Sequence, residues 1–413
     1  MPKTILAAAL LLIALPLQAS DQNAKAAGMG GAFAAQANDA SAIYYNPGGL
    51  ALLEKPKGIA AGLNVTSLNQ GLYQGLPPGI GAGTVAEQQK NRELIPHAFL
   101  SMPLGDRIVA GLGTFYPYRR TTEWAEPEQF AGRFLATRSS LEALDFAPTI
   151  AVRAGSTLGI GAGIIYRSSK VSATRLLGAE LDGVTRNIAS VAMSTDLEPA
   201  FGFSAGVLHR PSPHFAWGLT YRSAISTDYV GVGTLTQIAT GDTQFDQLVA
   251  AAFPFDRPLP LSSGFNFPAE ATAAVAWSPS KPVLVEVDYT RTGWSDVREV
   301  NFAFSANPNL DTRYRLDFKD TSSLRAGLRF QFPTGPQVRF GYAFEQSPQP
   351  DQTVGPFLAD SDRNILTAGV GLDWLHVAFA WTTYDRRIIT TNVDGVNGNY
   401  RANEWSVLIT AVK

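Results

Sequence analysis

Alternation between large apolar side chains and small or charged ones is the feature that most constrains how this chain folds. In residues 322–332, SSLRAGLRFQF, Leu324 and Leu328 fall on one face of an extended strand, whereas Arg325 and Arg329 fall on the other. The same period of two recurs in QVRFGYAFEQ, VLVEVDYT, LGIGAGIIY, VAFAWTTY and EWSVLITAV. This pattern predicts an all-β protein.

Two all-β architectures fit this pattern. A soluble β protein buries its large residues and exposes its charges, whereas a transmembrane barrel turns large residues toward lipid and keeps charges in a wet lumen. Three features favour the barrel. Strands continue to the last residues, alternate connections are short and rich in Pro and Gly, and aromatic residues cluster near strand ends, as in YPYRRTTEW and DWLH. We therefore predict a transmembrane antiparallel β-barrel, with a secreted soluble β protein as the alternative.

The alternating stretches number fourteen, an even count that suits a single-chain barrel. They are residues 57–70, 94–104, 107–120, 133–153, 157–175, 188–210, 214–236, 266–279, 282–304, 312–333, 336–347, 361–374, 376–392 and 399–412. Polar or Pro-rich segments at 71–93, 237–265 and 345–362 are predicted to be the outer loops. PLPLSSGFNFP, in the loop before the eighth strand, is apolar enough to form part of an entry groove.

The first twenty residues indicate the compartment. Lys3 precedes an apolar run over residues 5–17, and Ala19 supplies a small residue at a cleavage position. This is the layout of a secretory signal peptide. A transmembrane anchor fits less well, because the run is short for a span and contains Pro16. We expect residues 1–19 to be removed on export and the remaining chain to insert in the bacterial outer membrane.

Composition and motifs exclude several classes of function. A formal net charge of −2 offers no basic surface for nucleic acid, and a chain with no cysteine cannot form disulfides or thiolate metal sites. The histidines of HRPSPH, His209 and His214, have no carboxylate near them in the sequence to complete a metal triad. No serine lies in a Gly-x-Ser-x-Gly elbow, and His97 is the only strand histidine with any claim to catalysis. We therefore expect neither enzyme activity nor a cofactor.

Residues 20–55 differ from everything that follows them. They are rich in Gly and Ala, nearly uncharged and without period-two alternation, so they are too apolar for a disordered tail. Asn46-Pro47-Gly48 predicts a rigid turn, because proline fixes φ and glycine tolerates unusual backbone conformations. We predict a compact plug inside the barrel. The alternative is a periplasmic linker that contains a turn.

The export signal, the Gly-rich segment leading into YYNPGGLALL and the strand pattern resemble the FadL/TodX (OmpP1) family of outer-membrane fatty-acid and aromatic-hydrocarbon channels. ATAAVAWSPSKPVLVEVDYTRTGWSDV, SLRAGLRFQF and VRFGYAFEQSPQPDQTVGPFLADSDRNILTAGVGLDW follow in that family's order. The likeness covers essentially the whole mature chain, although Gly48 replaces the alanine of the family's Asn-Pro-Ala motif. It implies a fourteen-stranded barrel closed by a hatch, with a signal peptide at 1–19, the hatch at 20–55 and the barrel at 56–413.

For function, the resemblance implies passive uptake of hydrophobic molecules, with a hatch that moves and a sideways exit through the barrel wall. The candidate hatch residues along this passage are Phe33, Tyr44, Tyr45, Asn46, Pro47 and Gly48. The family's exit is a kink in the third strand, and Pro117 lies where that kink is expected. A proline inside a strand breaks pairing, so Tyr116, Pro117 and Tyr118 are candidates for the opening. The alternative is that Pro117 marks the end of the strand.

Four arginines predicted to face the lumen are candidate contacts for a substrate carboxylate, which a guanidinium binds in a bidentate fork: Arg153, Arg222, Arg325 and Arg339. In the alternative, these charges pair across strands, as inward charges in barrels commonly do. The available partners are Glu142, Glu286, Asp288 and Glu345.

Two other functions remain open for a barrel of this kind, namely a general porin for polar solutes and a surface-binding or adhesion barrel. The expected partners are hydrophobic small molecules such as fatty acids and hydrocarbons, outer-membrane lipid and the barrel assembly machinery. A barrel with its own lateral exit needs no second copy, so we expect a monomer.

Overall fold

The computed structural model describes residues 21–355 and 360–413, and most of them lie in strands. The predicted signal peptide, residues 1–19, lies outside the described residues. The strands in chain order are β1 Gly58–Gly75, β2 Val85–Glu87, β3 Arg92–Pro103, β4 Ile108–Glu123, β5 Arg138–Ala154, β6 Leu158–Leu181, β7 Val184–Thr195, β8 Glu198–Ser212, β9 Phe215–Arg222, β10 Ile225–Gln237, β11 Leu259–Phe267, β12 Glu270–Ser280, β13 Val283–Thr292, β14 Glu299–Phe304, β15 Thr312–Arg315, β16 Thr321–Gln331, β17 Gln337–Glu345, β18 Arg363–Gly371, β19 Leu375–Tyr384, β20 Arg387–Ile389 and β21 Gly398–Val412.

Helices are short and lie mostly outside the sheet. The α-helices are α1 Ala24–Ala27, α2 Ala42–Tyr45 and α3 Thr243–Ala252, and the 3₁₀ helices are Pro47–Leu52, Trp294–Asp296, Pro308–Leu310 and Asp351–Thr353. None of the helices in the described part of the chain is both long enough and apolar enough to cross a membrane.

Fourteen antiparallel strands close into a barrel, as the sequence predicts. The wall runs β1, β3, β4, β5, β6, β8, β9, β12, β13, β16, β17, β18, β19 and β21, and the last strand pairs with the first. At the closure, Ile59 and Lys413 exchange both backbone hydrogen bonds, at 2.8 and 2.9 Å. Closure removes the unpaired strand edges that a bilayer would not tolerate.

The two faces of the wall divide as the alternation predicts. In β6, the side chain of Ile164 is 58% exposed on the outer face, whereas that of the next residue, Ile165, is 1% exposed. The outer face carries other large apolar side chains, including Leu112, Ile150, Phe203, Leu219, Leu328, Phe340 and Leu366. The inner face carries buried polar residues such as Glu286 and Asp288. A surface with large apolar residues outside and charges inside suits lipid around the barrel.

Short turns join strands at one end of the barrel and long connections at the other. The HRPSPH turn, between Ser212 and Phe215, lies at the short-turn end. At the other end β6 extends past the wall and pairs with β7, and pairing continues through β10, β11, β14 and β15. Aromatic and aliphatic side chains from these strands form one large buried cluster. The prediction that PLPLSSGFNFP lies in a loop is wrong, because this stretch forms β11 and buries its alternate side chains in that cluster.

Candidate functional site

The N-terminal segment, defined here as residues 21–53, packs inside the barrel wall. Nearly every side chain in it is buried. Helix α1 contacts β18, β19 and β21, whereas the 3₁₀ helix Pro47–Leu52 contacts β5, β6 and β8 across the lumen. Since these strands lie on different sides of the closed wall, the segment spans the cross-section of the barrel.

The Asn46-Pro47-Gly48 turn is built by the side chain of Asn46. Its Oδ1 accepts the Gly48 N–H at 3.1 Å, and its Nδ2 donates to the carbonyls of Ala34 at 2.8 Å and Val207 at 3.1 Å. Pro47 begins the 3₁₀ helix, where its missing N–H costs no hydrogen bond. The turn therefore ties the segment both to itself and to the wall.

Glycines on the inner face form the surface on which this turn rests. A Cβ on Gly161 would lie 2.4 Å from the backbone of Pro47, and a Cβ on Gly206 would lie 2.3 Å from Asn46 Oδ1. The turn itself is equally confined, because a Cβ on Gly48 would lie 2.6 Å from the carbonyl oxygen of Gly159. These wall residues were not among the predicted site residues, although glycine repeats on the inward positions of LGIGAGIIY.

Aromatic rings connect the segment to the third wall strand. Phe33 and Tyr45 make an edge-to-face contact with centroids 5.3 Å apart, and Tyr44 contacts Tyr45 at 4.8 Å. Tyr44 also packs edge-on against Phe115 of β4, at 5.0 Å. The candidate hatch aromatics thus form one row that ends at the strand containing Pro117.

Strand β4 leaves its neighbour at this point. The ladder between β3 and β4 runs from Pro103 paired with Val109 to His97 paired with Phe115 and ends there, although β3 continues to Arg92 in its ladder with β1. On the other side, the register of β4 with β5 shifts between Phe115 and Tyr118. The result is a gap in the wall between residues 92–96 and 116–122, beyond which the Gln89 N–H donates to the Glu123 carbonyl at 2.7 Å.

Pro117 lies inside β4, which continues to Glu123. Its neighbours take different positions. Tyr116 is partly exposed, and its carbonyl accepts a hydrogen bond from Gln22 of the segment at 2.9 Å. Tyr118 is buried against Phe267, with ring centroids 5.1 Å apart.

Charged side chains line the gap. Glu93 of β3 and Arg119 of β4 face each other across it, with Arg119 Nε 3.6 Å from a Glu93 carboxylate oxygen. Behind them lies a cavity of about 120 Å³ that the segment reaches through Asp21. Its other ionisable side chains are Arg120, Arg325, Glu345, Arg363, Tyr384 and Glu404. Opposite charges are thus closely balanced where the wall is open.

The four candidate arginines all face inward, but their surroundings differ. Arg325 donates to Glu345 at 2.9 Å, and Arg222 lies 3.7 Å from Glu270 with its guanidinium 4.4 Å from the centre of the Tyr44 ring. Both line a second cavity, of about 60 Å³, beside the segment. Arg153 instead donates to the Ala51 carbonyl at 2.8 Å, and Arg339 contacts Gln337 and His376.

The predicted carboxylate partners are only partly correct. Glu345 pairs with Arg325 and Arg363, as expected of an inward acid. Glu142 lies on the outer face of β5, where it contacts Arg119 and Lys170, so its prediction as a lumen partner is wrong. Glu286 and Asp288 do face inward, but they accept hydrogen bonds from backbone amides of the segment.

A buried polar cluster fixes the start of the segment. Asp39 accepts from Lys25 at 2.8 Å, from the Ser41 N–H at 2.9 Å and from Asn23 Nδ2 at 3.0 Å. Burial alone would raise the pKa of the Asp39 carboxyl, but the Lys25 ammonium and the Ser41 hydrogen bonds outweigh burial and hold it below the ordinary value. Asp39 therefore stays ionised inside the barrel. Asp39 was not among the predicted site residues.

His97 has a structural environment. It is buried on the inner face of β3, with Nε2 3.1 Å from Thr410 Oγ1 and its ring beside Phe99. His209 and His214 lie at the short-turn end. The described residues contain no group of three or more His, Asp or Glu side chains arranged to hold a metal ion.

The profile of the family described as outer membrane protein transport protein (OMPP1/FadL/TodX) matches residues 5–403. The chain belongs to this family. Membership identifies it as an outer-membrane β-barrel protein, and the relatives described below are named as transport proteins.

The similarity to individual FadL-family proteins is low in sequence and high in structure. The chain is 23% identical over 299 residues to the long-chain fatty acid transport protein of Salmonella typhi, an alignment that covers 67% of this chain and 65% of that protein. The crystal structure of a Pseudomonas aeruginosa FadL homologue matches with a TM-score of 0.80 and 20% identity, over 96% of this chain and 99% of that one. The crystal structure of the Ralstonia pickettii toluene transporter TbuX matches with a TM-score of 0.70 and 18% identity, over 96% of this chain and 99% of that one.

Proposed function

We propose that this chain is an outer-membrane channel for passive uptake of hydrophobic molecules, either long-chain fatty acids or related hydrocarbons, which leave sideways through the gap between β3 and β4. The observation that carries the proposal is the break in the wall ladder at Tyr116 and Pro117. An apolar molecule that passes the gap enters the bilayer directly and avoids the aqueous periplasm. Names of similar proteins, a fatty-acid transporter and a toluene transporter, support this class of substrate.

The N-terminal segment is the hatch in this proposal. It fills the lumen at the height of the gap, and Gln22 is hydrogen-bonded to Tyr116 at the kink. Movement of Phe33, Tyr44 and Tyr45 would widen the route between the inner cavities and the gap. The turn at Asn46, Pro47 and Gly48 would stay against the wall and act as the fixed end.

Arg222 and Arg325 are the proposed contacts for a substrate carboxylate. Both line the 60 Å³ cavity next to Tyr44, so an acid group there would meet two guanidinium groups while its apolar tail lies along aromatic rings. Arg222 Nε has no hydrogen-bond partner within the described residues. Arg153 and Arg339 are less suited, because they are held against the segment and against β17 and β19.

The route to the membrane is also part of the proposal. The signal peptide is cleaved after Ala19, the barrel assembly machinery inserts the chain, and outer-membrane lipid surrounds it. One copy is sufficient, because the exit lies within a single wall.

The test is uptake of a labelled long-chain fatty acid, with toluene in parallel, in a Gram-negative host that lacks its own channel. One strain expresses the native chain, and another a variant in which Tyr116-Pro117-Tyr118 becomes Thr-Val-Thr, a sequence that favours a regular strand. The matched control is Pro148→Val. Pro148 also lies inside a wall strand, but the pairing of β5 with β6 keeps one register on both sides of it.

We expect uptake by the native chain and by Pro148→Val, and loss of uptake in the rebuilt variant. Heat-modifiable migration on gels must show that all three barrels are assembled. Uptake that persists in an assembled rebuilt variant would contradict the lateral exit. If neither substrate enters faster than in the empty host, the channel assignment fails, and steady large conductance or surface binding would then indicate a porin or an adhesion barrel.

A further inference from the structure

Two acidic residues on β13 hold four consecutive backbone amides of the N-terminal segment. Asp288 Oδ2 accepts from the Phe33 N–H at 3.0 Å and the Ala34 N–H at 3.1 Å. Glu286 Oε1 accepts from the Ala35 N–H at 2.6 Å and the Gln36 N–H at 3.3 Å. A bond from Gln36 Nε2 to Glu286 Oε2, at 2.7 Å, completes the set.

Neither carboxylate is in contact with solvent. Glu286 is 0% exposed and Asp288 is 2% exposed. Arg325, which is paired with Asp288 in the ladder between β13 and β16, makes its ion pair with Glu345, and Arg222 on β9 lies nearest to Glu270. Buried carboxyl oxygens need hydrogen bonds, and here the amides of the segment supply them to Asp288 Oδ2 and Glu286 Oε1.

The amides at 33–36 lie between two separate cavities. Toward the short-turn end is a vestibule of about 940 Å³, lined by Ala35, Gln36 and Leu284 among others. On the other side is the 60 Å³ cavity, lined by Ala34, Asp288 and Thr290. Along the inner face of β13, the row Leu284, Glu286, Asp288, Thr290 therefore passes from the vestibule, through the hydrogen-bonded contact, to the inner cavity.

We propose that Glu286 and Asp288 are positioning residues that latch the segment to the wall and so seal the barrel against ions and small polar solutes. When residues 33–36 are held to β13, backbone separates the vestibule from the inner cavity. When they are released, the two spaces join and water reaches both carboxylates. The inference goes beyond uptake, because it concerns solutes other than the apolar cargo and holds whichever substrate the channel carries.

Planar-bilayer recording of purified native protein and of a Glu286→Ala/Asp288→Ala variant tests the latch. The Glu286→Met/Asp288→Leu variant, which keeps a similar side-chain volume but has no hydrogen-bond acceptor, serves if the alanine variant fails to assemble. Loss of even one such hydrogen bond corresponds to up to about a tenfold change in an opening equilibrium, so loss of all of them should raise the fraction of time in a conducting state roughly tenfold or more. Glu299→Gln, which changes a partly exposed acid on β14, is the control for the removal of acidic groups.

A disulfide separates loss of the latch from general damage to the barrel. The chain has no cysteine, and Ala276 is paired with Glu286 in the ladder and packs in the same small cluster as Ala35. Ala35→Cys and Ala276→Cys, added to the variant without the latch, should restore the seal when oxidised and lose it again when reduced. Unchanged conductance in assembled latch variants, or raised conductance that the disulfide leaves unaltered, would overturn the proposal. Because the readout is ion flow, failure of substrate uptake would not count against it.

Discussion

Pro47 lies directly against Gly161, so close that a single carbon added to the glycine would be 2.4 Å from the proline backbone. The turn of the N-terminal segment and the wall of the barrel are therefore complementary at the level of backbone atoms. Neither surface can gain a side chain without moving the other. This contact ties the conformation of the segment to the sequence of β6.

Gly161→Ala should displace the turn and destabilise the barrel. Overpacking of a close contact costs about 1–3 kcal/mol, and here the colliding atoms are backbone, which cannot rotate away. Urea unfolding of the protein in lipid vesicles measures the change. Gly264→Ala is the control, since a Cβ on Gly264 would lie 3.6 Å from the nearest atom. Equal midpoints for the two variants would mean that the turn does not rest on Gly161.

The buried ion pair between Asp145 and Arg167 should be essential to the wall. Arg167 Nε and Nη2 donate to the two carboxylate oxygens at 2.7 and 2.8 Å, and the side chains are 0% and 2% exposed. Arg167→Met leaves an unpaired buried carboxylate and should cost about 3–5 kcal/mol. Asp145→Leu combined with Arg167→Met should recover much of that loss, as a double-mutant cycle would show.

The control for this pair is Glu142→Gln on the outer face. Glu142 lies 3.5 Å from Lys170 and 4.0 Å from Arg119, and all three side chains are partly exposed. Such pairs contribute at most about 1 kcal/mol. A comparable loss of stability in Glu142→Gln and Arg167→Met would contradict the distinction between the buried and the exposed pair.

Asp39→Asn should loosen the segment at neutral pH. The pKa of Asp39 is held below its ordinary value of 3.8, so its contribution is complete above that value and is lost as the pH falls through the lowered pKa of the folded state. The asparagine variant removes the charge at every pH. A cysteine in place of Ala40, which is 2% exposed, reports opening through its rate of reaction with a thiol reagent.

We expect that rate to rise roughly 10- to 100-fold in the Asp39→Asn background at pH 7, in line with the loss of charge-assisted hydrogen bonds. The background with Asp39 intact should show constant protection from pH 7 down to about 4, after allowance for the ionisation of the thiol. Matched rates in the two backgrounds would show that Lys25 and Ser41 are held by other contacts.

Arg222→Leu should discriminate between substrates. If Arg222 meets a carboxylate, the variant should take up a long-chain fatty acid roughly 10-fold more slowly and toluene at an unchanged rate, because only the acid carries the charge. Arg291→Gln, an exposed arginine near Asp320, is the control. An equal decline for both substrates would assign Arg222 a purely structural role, consistent with its packing on Tyr44.

Much of the fold could be predicted from the alternation of side chains along each strand. Period-two alternation is a property of each strand separately, so the number of wall strands, their order and the outward position of Leu324 and Leu328 follow from the sequence. The sequence also shows which residues of one strand share a face. Glu142 and Arg153 are eleven positions apart on β5, an odd separation that puts them on opposite faces, and the prediction that both face inward overlooked this.

Only the tertiary structure decides which groups the inward-facing side chains of the wall contact. Glu286 and Asp288 read as partners for arginine, since opposite charges on one face attract, yet they receive backbone amides from a segment about 250 residues away in sequence. Such a choice depends on how the segment lies in the lumen. The role of the glycines beneath Pro47 also depends on the position of the segment. Residues 259–267 were predicted to be a loop, and they form β11 because β10 and β14 pair with them. Alternation is a local property of each strand, whereas these contacts exist only after the wall has closed around the segment.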